Sequence, residues 1–190
     1  FAVIDVVFLG DEIAGSELIA ELRALGPEID TVAAATPDII GRVHMDPEDP
    51  VPAFDDHALL GPLPPEAIDA FVDAVGADSG STIIAAELRL NGGALARPAP
   101  GGGALDSLVG DYFAFAVGAL AGPDAAVALR ADVDRLLDAL APYRVGRYYN
   151  FSDRAVPVSE FLAPDVVERL RAVKARWDPD DLIASAHPVG

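Results

Sequence analysis

Helical periodicity returns at intervals along this chain, and the strand-like segments between the helical ones come in pairs. No other feature narrows the fold as far. Leu18, Ile19, Leu22 and Leu25 mark one face of a helix over residues 16–25, with Ser16 as its N-cap and Gly26-Pro27 as its stop. Pro65 opens a second helix carrying Ile68, Phe71, Val72 and Val75 at helical spacing. The clearest helix covers 124–140: Leu129, Val133, Leu136, Leu137 and Leu140 form its apolar stripe, and Asp124 sits at its positive end. A last helix covers 164–176, opened by Pro164, with Val166, Leu170, Val173 and Trp177 as its buried face. Strands are predicted at 2–9, 31–36, 53–61, 82–90 and 112–120. A doubly wound parallel sheet needs a helix after every strand. Paired strands predict instead an α+β fold: an antiparallel sheet with helices packed mainly on one face.

Hydrophobic residues make up 52% of the 190, enough for a core and too many for a disordered chain. No apolar run reaches the roughly 18–20 residues of a membrane span. The opening FAVIDVVFLG lacks a basic n-region and runs into DEIAGSE, so it reads as a buried strand and not as a signal peptide. Cytoplasmic residence is the matching expectation. The net charge of −18 repels phosphate backbones and anionic lipid, so neither nucleic acid nor membrane is an expected partner. Lys174 is the only lysine among 13 basic residues, a bias that fits a GC-rich bacterial genome. With no cysteine, thiolate catalysis and thiolate metal sites are excluded. The chain starts at Phe1 and its only methionine is Met45, which predicts a piece cut from a longer protein.

Most of the candidate chemistry is weak. The glycines of APGGGALDS lack the lysine of a phosphate loop, and a strand follows them where a dinucleotide fingerprint needs a helix. His44, His57 and His187 show no ligand spacing, so no metal site is predicted. Glu87 and Arg89 lie two apart in a strand and so share a face, beside the Gly92-Gly93 pair; taken alone, a surface ion pair is their default explanation. VGRYYNFSD gathers two of the four tyrosines and one of the two asparagines. In an extended segment Tyr148 and Asn150 project to one side, with Tyr149 and Phe151 on the other. A phenol beside a carboxamide can hold a planar polar ligand or transfer a proton. An ordinary aromatic strand has the same composition, and residue physics leaves both readings open.

GRYYNFSD, followed by FLAPDVVERLRAVKARWDPDDLIASAHPVG, resembles the C-terminal end of the berberine bridge enzyme-like FAD-linked oxidoreductases, flavoproteins of the vanillyl-alcohol oxidase type. ELRLNGGALAR resembles a substrate-domain strand of that family, and FAVIDVVFLGDE with LIAELRALGP resembles the start of that domain. Three tail positions depart from the family pattern: Asp181 and Ala186 stand where asparagine is usual, and Ile183 where phenylalanine is.

The resemblance implies a substrate-binding domain over 1–143, a ferredoxin-like derivative, and a C-terminal segment over 144–190 with the Tyr-x-Asn motif. It implies that the N-terminal domain holding most of the FAD lies outside this chain. The expected activity is oxidation of an alcohol, sugar or amine carbon by hydride transfer to flavin. Tyr148 is implied as the catalytic base, Asn150 and His187 as cofactor contacts, and Glu87, Arg89 and Tyr149 as substrate contacts. Loops 44–57 and 97–107 are expected to set specificity. Expected partners are a small-molecule substrate, the absent FAD domain and a second copy in a homodimer. The alternative is a non-catalytic α+β domain that binds a small molecule or another subunit.

Overall fold

The structure is a computed structural model that describes residues 1–44 and 47–189. It divides into two compact units, Phe1–Pro50 and Val51–Gly190.

The first unit carries α1 (Glu12–Leu18), α2 (Ala20–Ala24) and a 3-10 turn over Pro37–Arg42. The expected single helix at 16–25 is two short ones, broken at Ile19, where the backbone leaves helical geometry (φ −97°, ψ 6°). The cap is Asp11 and not Ser16: its carboxylate accepts the Ala14 amide at 2.9 Å and so satisfies a first-turn donor. The strands expected at 2–9 and 31–36 are absent. An apolar, β-branched run becomes a strand only where another strand offers a ladder. Among the described residues of this unit there is none, and Val3, Ile4, Val7 and Leu9 stay exposed.

The second unit is built on β1 (Ala53–Leu60), α3 (Pro65–Val75), β2 (Ala85–Leu90), β3 (Tyr112–Ala119), α4 (Pro123–Ala139), β4 (Arg144–Gly146) and α5 (Pro164–Trp177). The four strands pair in the order β2-β3-β1-β4, every pair antiparallel. The α3 connection carries the chain from β1 to β2 past β3, and α4 carries it from β3 to β4 past β1. Both are split crossovers of the ferredoxin-like kind. The α+β expectation therefore holds, with α3 and α4 packed on each other over one face. The expected loop 44–57 is shorter, since β1 begins at Ala53; its residues 45 and 46 lie outside the described residues.

Strand alternation sorts the side chains into two faces. Phe54, Ala58 and Leu60 of β1 and Ala114 and Ala116 of β3 join Leu129, Val133, Leu136 and Leu140 in the core. Gly118 completes that small-residue row: a Cβ there would lie 2.4 Å from Leu129 Cδ1, so the glycine leaves the Leu129 side chain room against the sheet. At the end of β1, Gly110 adopts φ +88°, and a Cβ would stand 2.5 Å from the Leu60 carbonyl oxygen. That carbonyl accepts the Asp111 amide at 2.8 Å, which closes the turn into β3.

Two helix faces differ from expectation. In α3 the buried residues are Ala67 and Ala74, while Ile68 and Val72 are exposed; small alanines let α3 lie close against its neighbours. In α5 Val167 is buried, beside the 3-10 turn at Val158–Glu160, whereas Val173 and Trp177 are exposed because the packing covers only the first part of the helix. Its end is tied by Asp178, which accepts the Leu182 and Ile183 amides at 2.8 and 3.0 Å and pairs with Lys174 at 2.5 Å. Among the described residues, no helix is long and apolar enough to cross a membrane.

Candidate functional site

The other face of the sheet carries the alternate residues: Asp55 and His57 of β1, Phe113 and Phe115 of β3, and Glu87 and Arg89 of β2. Cross-strand register sets Phe115 between His57 and Glu87, and Phe113 beside Arg89. Among the described residues of this unit, this face is not the one on which α4 packs. It is covered instead by the segment after β4, where Tyr149–Phe151 form a 3-10 turn.

That turn corrects the expected geometry. Tyr148 is extended (φ −114°, ψ 127°), but the chain then coils, so Tyr148 and Asn150 are not alternate residues of a strand. The turn still brings them together: Asn150 Nδ2 donates to Tyr148 Oη at 3.4 Å. It also puts Tyr148 and Phe151 on the same side, their rings 5.6 Å apart. Both rings meet Phe113 edge-on, at 6.2 and 5.1 Å, and Phe151 meets Phe115 at 5.4 Å. Edge-to-face contacts at these separations suit the ring quadrupoles and fix the cluster's shape.

Arg89 belongs to the cluster as well. Its guanidinium carbon stands 5.7 Å from the Phe113 and Phe115 centroids and 5.6 Å from Phe151. Its Nε donates to Glu87 at 2.6 Å. The pair is partly exposed, so its Coulomb energy contributes little, and its effect is to hold the guanidinium over the rings. Glu87, Arg89, Tyr148 and Asn150 are therefore gathered on one aromatic surface. Tyr149 and His187 lie in a separate cluster: Tyr149 Oη donates to the His187 carbonyl at 3.0 Å, and the rings of Tyr149 and His187 each pack on Phe161.

Sequence reading missed two groups. The first is Asp56, buried on the helix side of β1, which pairs with Arg147 and, at 2.6 Å, with Arg154. Arg154 also reaches Asp134 of α4 at 2.6 Å, so a buried carboxylate ties the segment after β4 to the sheet and to α4. Arg147, the neighbour of Tyr148, is thereby committed to Asp56. The second is His57, fully buried and stacked on Phe113 at 5.4 Å. Burial and the Arg147 charge push its imidazole down to about 4, so it is neutral. Next to it, burial and the Asp153 and Asp56 charges push the Asp55 carboxyl up to about 6. The available signal was DDH inside an otherwise apolar strand, since polar residues in a central strand are buried and need partners.

Among the described residues, no three His, Asp or Glu side chains are grouped to hold a metal ion. The glycine-rich segment is turn and coil, with Gly102 donating to the Ala99 carbonyl at 2.9 Å, and it leads into β3. It therefore has no helix N-terminus behind it to bind a phosphate.

No protein-family model matches the chain, and no curated protein matches it in sequence. Among solved structures it is similar to BBE-like 1 of Physcomitrella patens, at a TM-score of 0.72 and 18% identity over 95% of this chain. The chain spans 43% of that protein's chain. The chain thus has the fold of the corresponding part of a BBE-like protein.

Proposed function

We propose that this chain is the substrate-binding part of an FAD-dependent oxidoreductase of the berberine bridge enzyme-like group, oxidising an alcohol, sugar or amine carbon. One observation carries the reading: Tyr148, Asn150, Glu87 and Arg89 converge on one aromatic face of the sheet. Tyr148 is the proton acceptor. It takes the proton of the substrate O–H or N–H at Oη, while Asn150 holds that oxygen in place. Arg89 and Glu87, partly exposed at the edge of the aromatic cluster, orient the substrate.

The residues present fit a flavin on this face. Phe115, Tyr148 and Phe151 are partly exposed and offer aromatic edges to a planar ring system, backed by the buried Phe113, and Asn150 supplies a donor at the rim. With no phosphate cradle in the glycine-rich segment, the rest of FAD falls to a further domain. The flavin, when bound, supplies the hydride acceptor. Tyr149 and His187 hold the terminal segment against the turn and so keep Tyr148 and Asn150 in place. Val173, Trp177, Leu182 and Ile183 stand exposed around the end of α5, which supports a surface covered in the whole protein by that further domain.

The test is to express the chain with its native upstream coding sequence, record the flavin spectrum, and mix the protein anaerobically with a panel of alcohols, sugars and amines. Bleaching of the flavin band by one class supports the reading. A flavin-free protein that binds a panel member unchanged would instead make it a binding domain.

A further inference from the structure

The geometry points to His57 as a positioning residue for Tyr148, its imidazole replacing the backbone carbonyl that the sheet ladder would have supplied. The inference rests on the reading of Tyr148 as proton acceptor.

β4 pairs with β1 through Leu59↔Gly146, and continuing that antiparallel register sets His57 opposite Tyr148. The ladder ends first, since β4 stops at Gly146 and the chain enters the 3-10 turn at Tyr149. The Tyr148 amide hydrogen, part-buried, still needs an acceptor. It finds His57 Nε2 at 2.6 Å. An amide N–H only donates, so Nε2 is unprotonated and the ring proton sits on Nδ1. Asp56 Oδ1, at 3.7 Å from Nδ1, is too far to hydrogen-bond and does not compete for the ring. Stacking on Phe113 fixes the imidazole plane, and the same Phe113 ring contacts the Tyr148 ring edge-on. One rigid, fully buried group therefore sets both the backbone of Tyr148 and the surface its ring rests on. The phenol oxygen is then delivered to Asn150.

The test is NMR on the 190-residue chain with labelled histidine and tyrosine, comparing wild type with His57→Gln and His57→Asn. Glutamine reaches far enough to accept from the Tyr148 amide, whereas asparagine does not. The expected wild-type result is a through-bond coupling between the Tyr148 amide nitrogen and His57 Nε2. His57→Gln should keep the nuclear Overhauser contact between the Tyr148 ring and the Asn150 side-chain amide. His57→Asn should lose it, with the Tyr148 amide exchanging about tenfold faster than in His57→Gln. Absence of the wild-type coupling overturns the proposal, and that measurement stands even if a variant fails to fold. Equal ring contacts in the two variants also overturn it, because a general loss of packing would move both alike. None of these readouts involves turnover. A catalytically silent Tyr148 would therefore sink the functional reading and leave the positioning result intact.

Discussion

Asn150 Nδ2 donates to the Tyr148 phenol oxygen at 3.4 Å, a contact closed by a single 3-10 turn. If that donor holds the reactive oxygen in place, Asn150→Leu should lower kcat in the flavin-loaded protein by about tenfold while KM changes little. Steady-state kinetics on the substrate found by flavin bleaching checks this. An unchanged kcat with a raised KM would instead make Asn150 a binding group.

The helices and sheet were legible because their signals are local. Leu129, Val133, Leu136 and Leu140 repeat at helical spacing behind Pro123, and all four are buried as read. Glu87 and Arg89 had to share a strand face, and they do. The first ten residues carry an equally strong local signal for a strand, yet the sheet's strands all lie within residues 53–146. A strand's existence depends on a partner that no local pattern reports. For the same reason the local pattern puts Tyr148 and Asn150 on one strand, whereas β4 is only three residues long and the chain turns just beyond it. No local pattern singles out His57, because its contact with the Tyr148 amide spans 91 residues of sequence.

Two groups on the site face should give opposing pH dependences of stability. Asp55, raised to about 6, keeps a proton in the folded state that the unfolded chain releases near 3.8, so its contribution falls as pH rises from 3.8 to 6. His57, lowered to about 4, refuses a proton that the unfolded chain takes below 6.5, so its contribution is lost as pH falls from 6.5 to 4. Over pH 4–6 the two slopes largely cancel. Asp55→Asn removes one of them, and after a discount for partial solvent screening it should make stability fall by about 2 kcal/mol more than in wild type on going from pH 6.5 to 4. Urea unfolding across that range checks the difference, and parallel wild-type and variant curves would contradict it.

Asp132 of α4 accepts the Thr82 amide and hydroxyl at 2.6 and 2.7 Å and pairs with Arg135 at 2.6 Å. Burial by itself would push this carboxyl up, but the Thr82 hydrogen bonds and Arg135 hold it below its ordinary value. Asp132→Ala removes the charged acceptor of the Thr82 amide and hydroxyl and of Arg135, and should cost about 2–3 kcal/mol of stability. Denaturant unfolding should show that loss, together with faster exchange of the Thr82 amide.

Gly110 combines φ +88° with a Leu60 carbonyl oxygen only 2.5 Å from where a Cβ would sit. Gly110→Ala should therefore cost at least about 2 kcal/mol, because both the backbone and β1 must shift. Gly103, where nothing lies within 4 Å of an added Cβ and φ is not positive, serves as the control: Gly103→Ala should be close to neutral. Equal melting temperatures for the two variants would contradict this account of the turn.

The most direct test of the central claim is Tyr148→Phe in the complete flavin-loaded protein. The substitution keeps the ring contacts with Phe113 and Phe151 and removes only the oxygen beside Asn150. Measured as the rate of flavin reduction at saturating substrate, turnover should fall by roughly 100-fold or more, with the flavin spectrum unchanged. A rate near that of wild type would contradict the assignment of Tyr148 as proton acceptor.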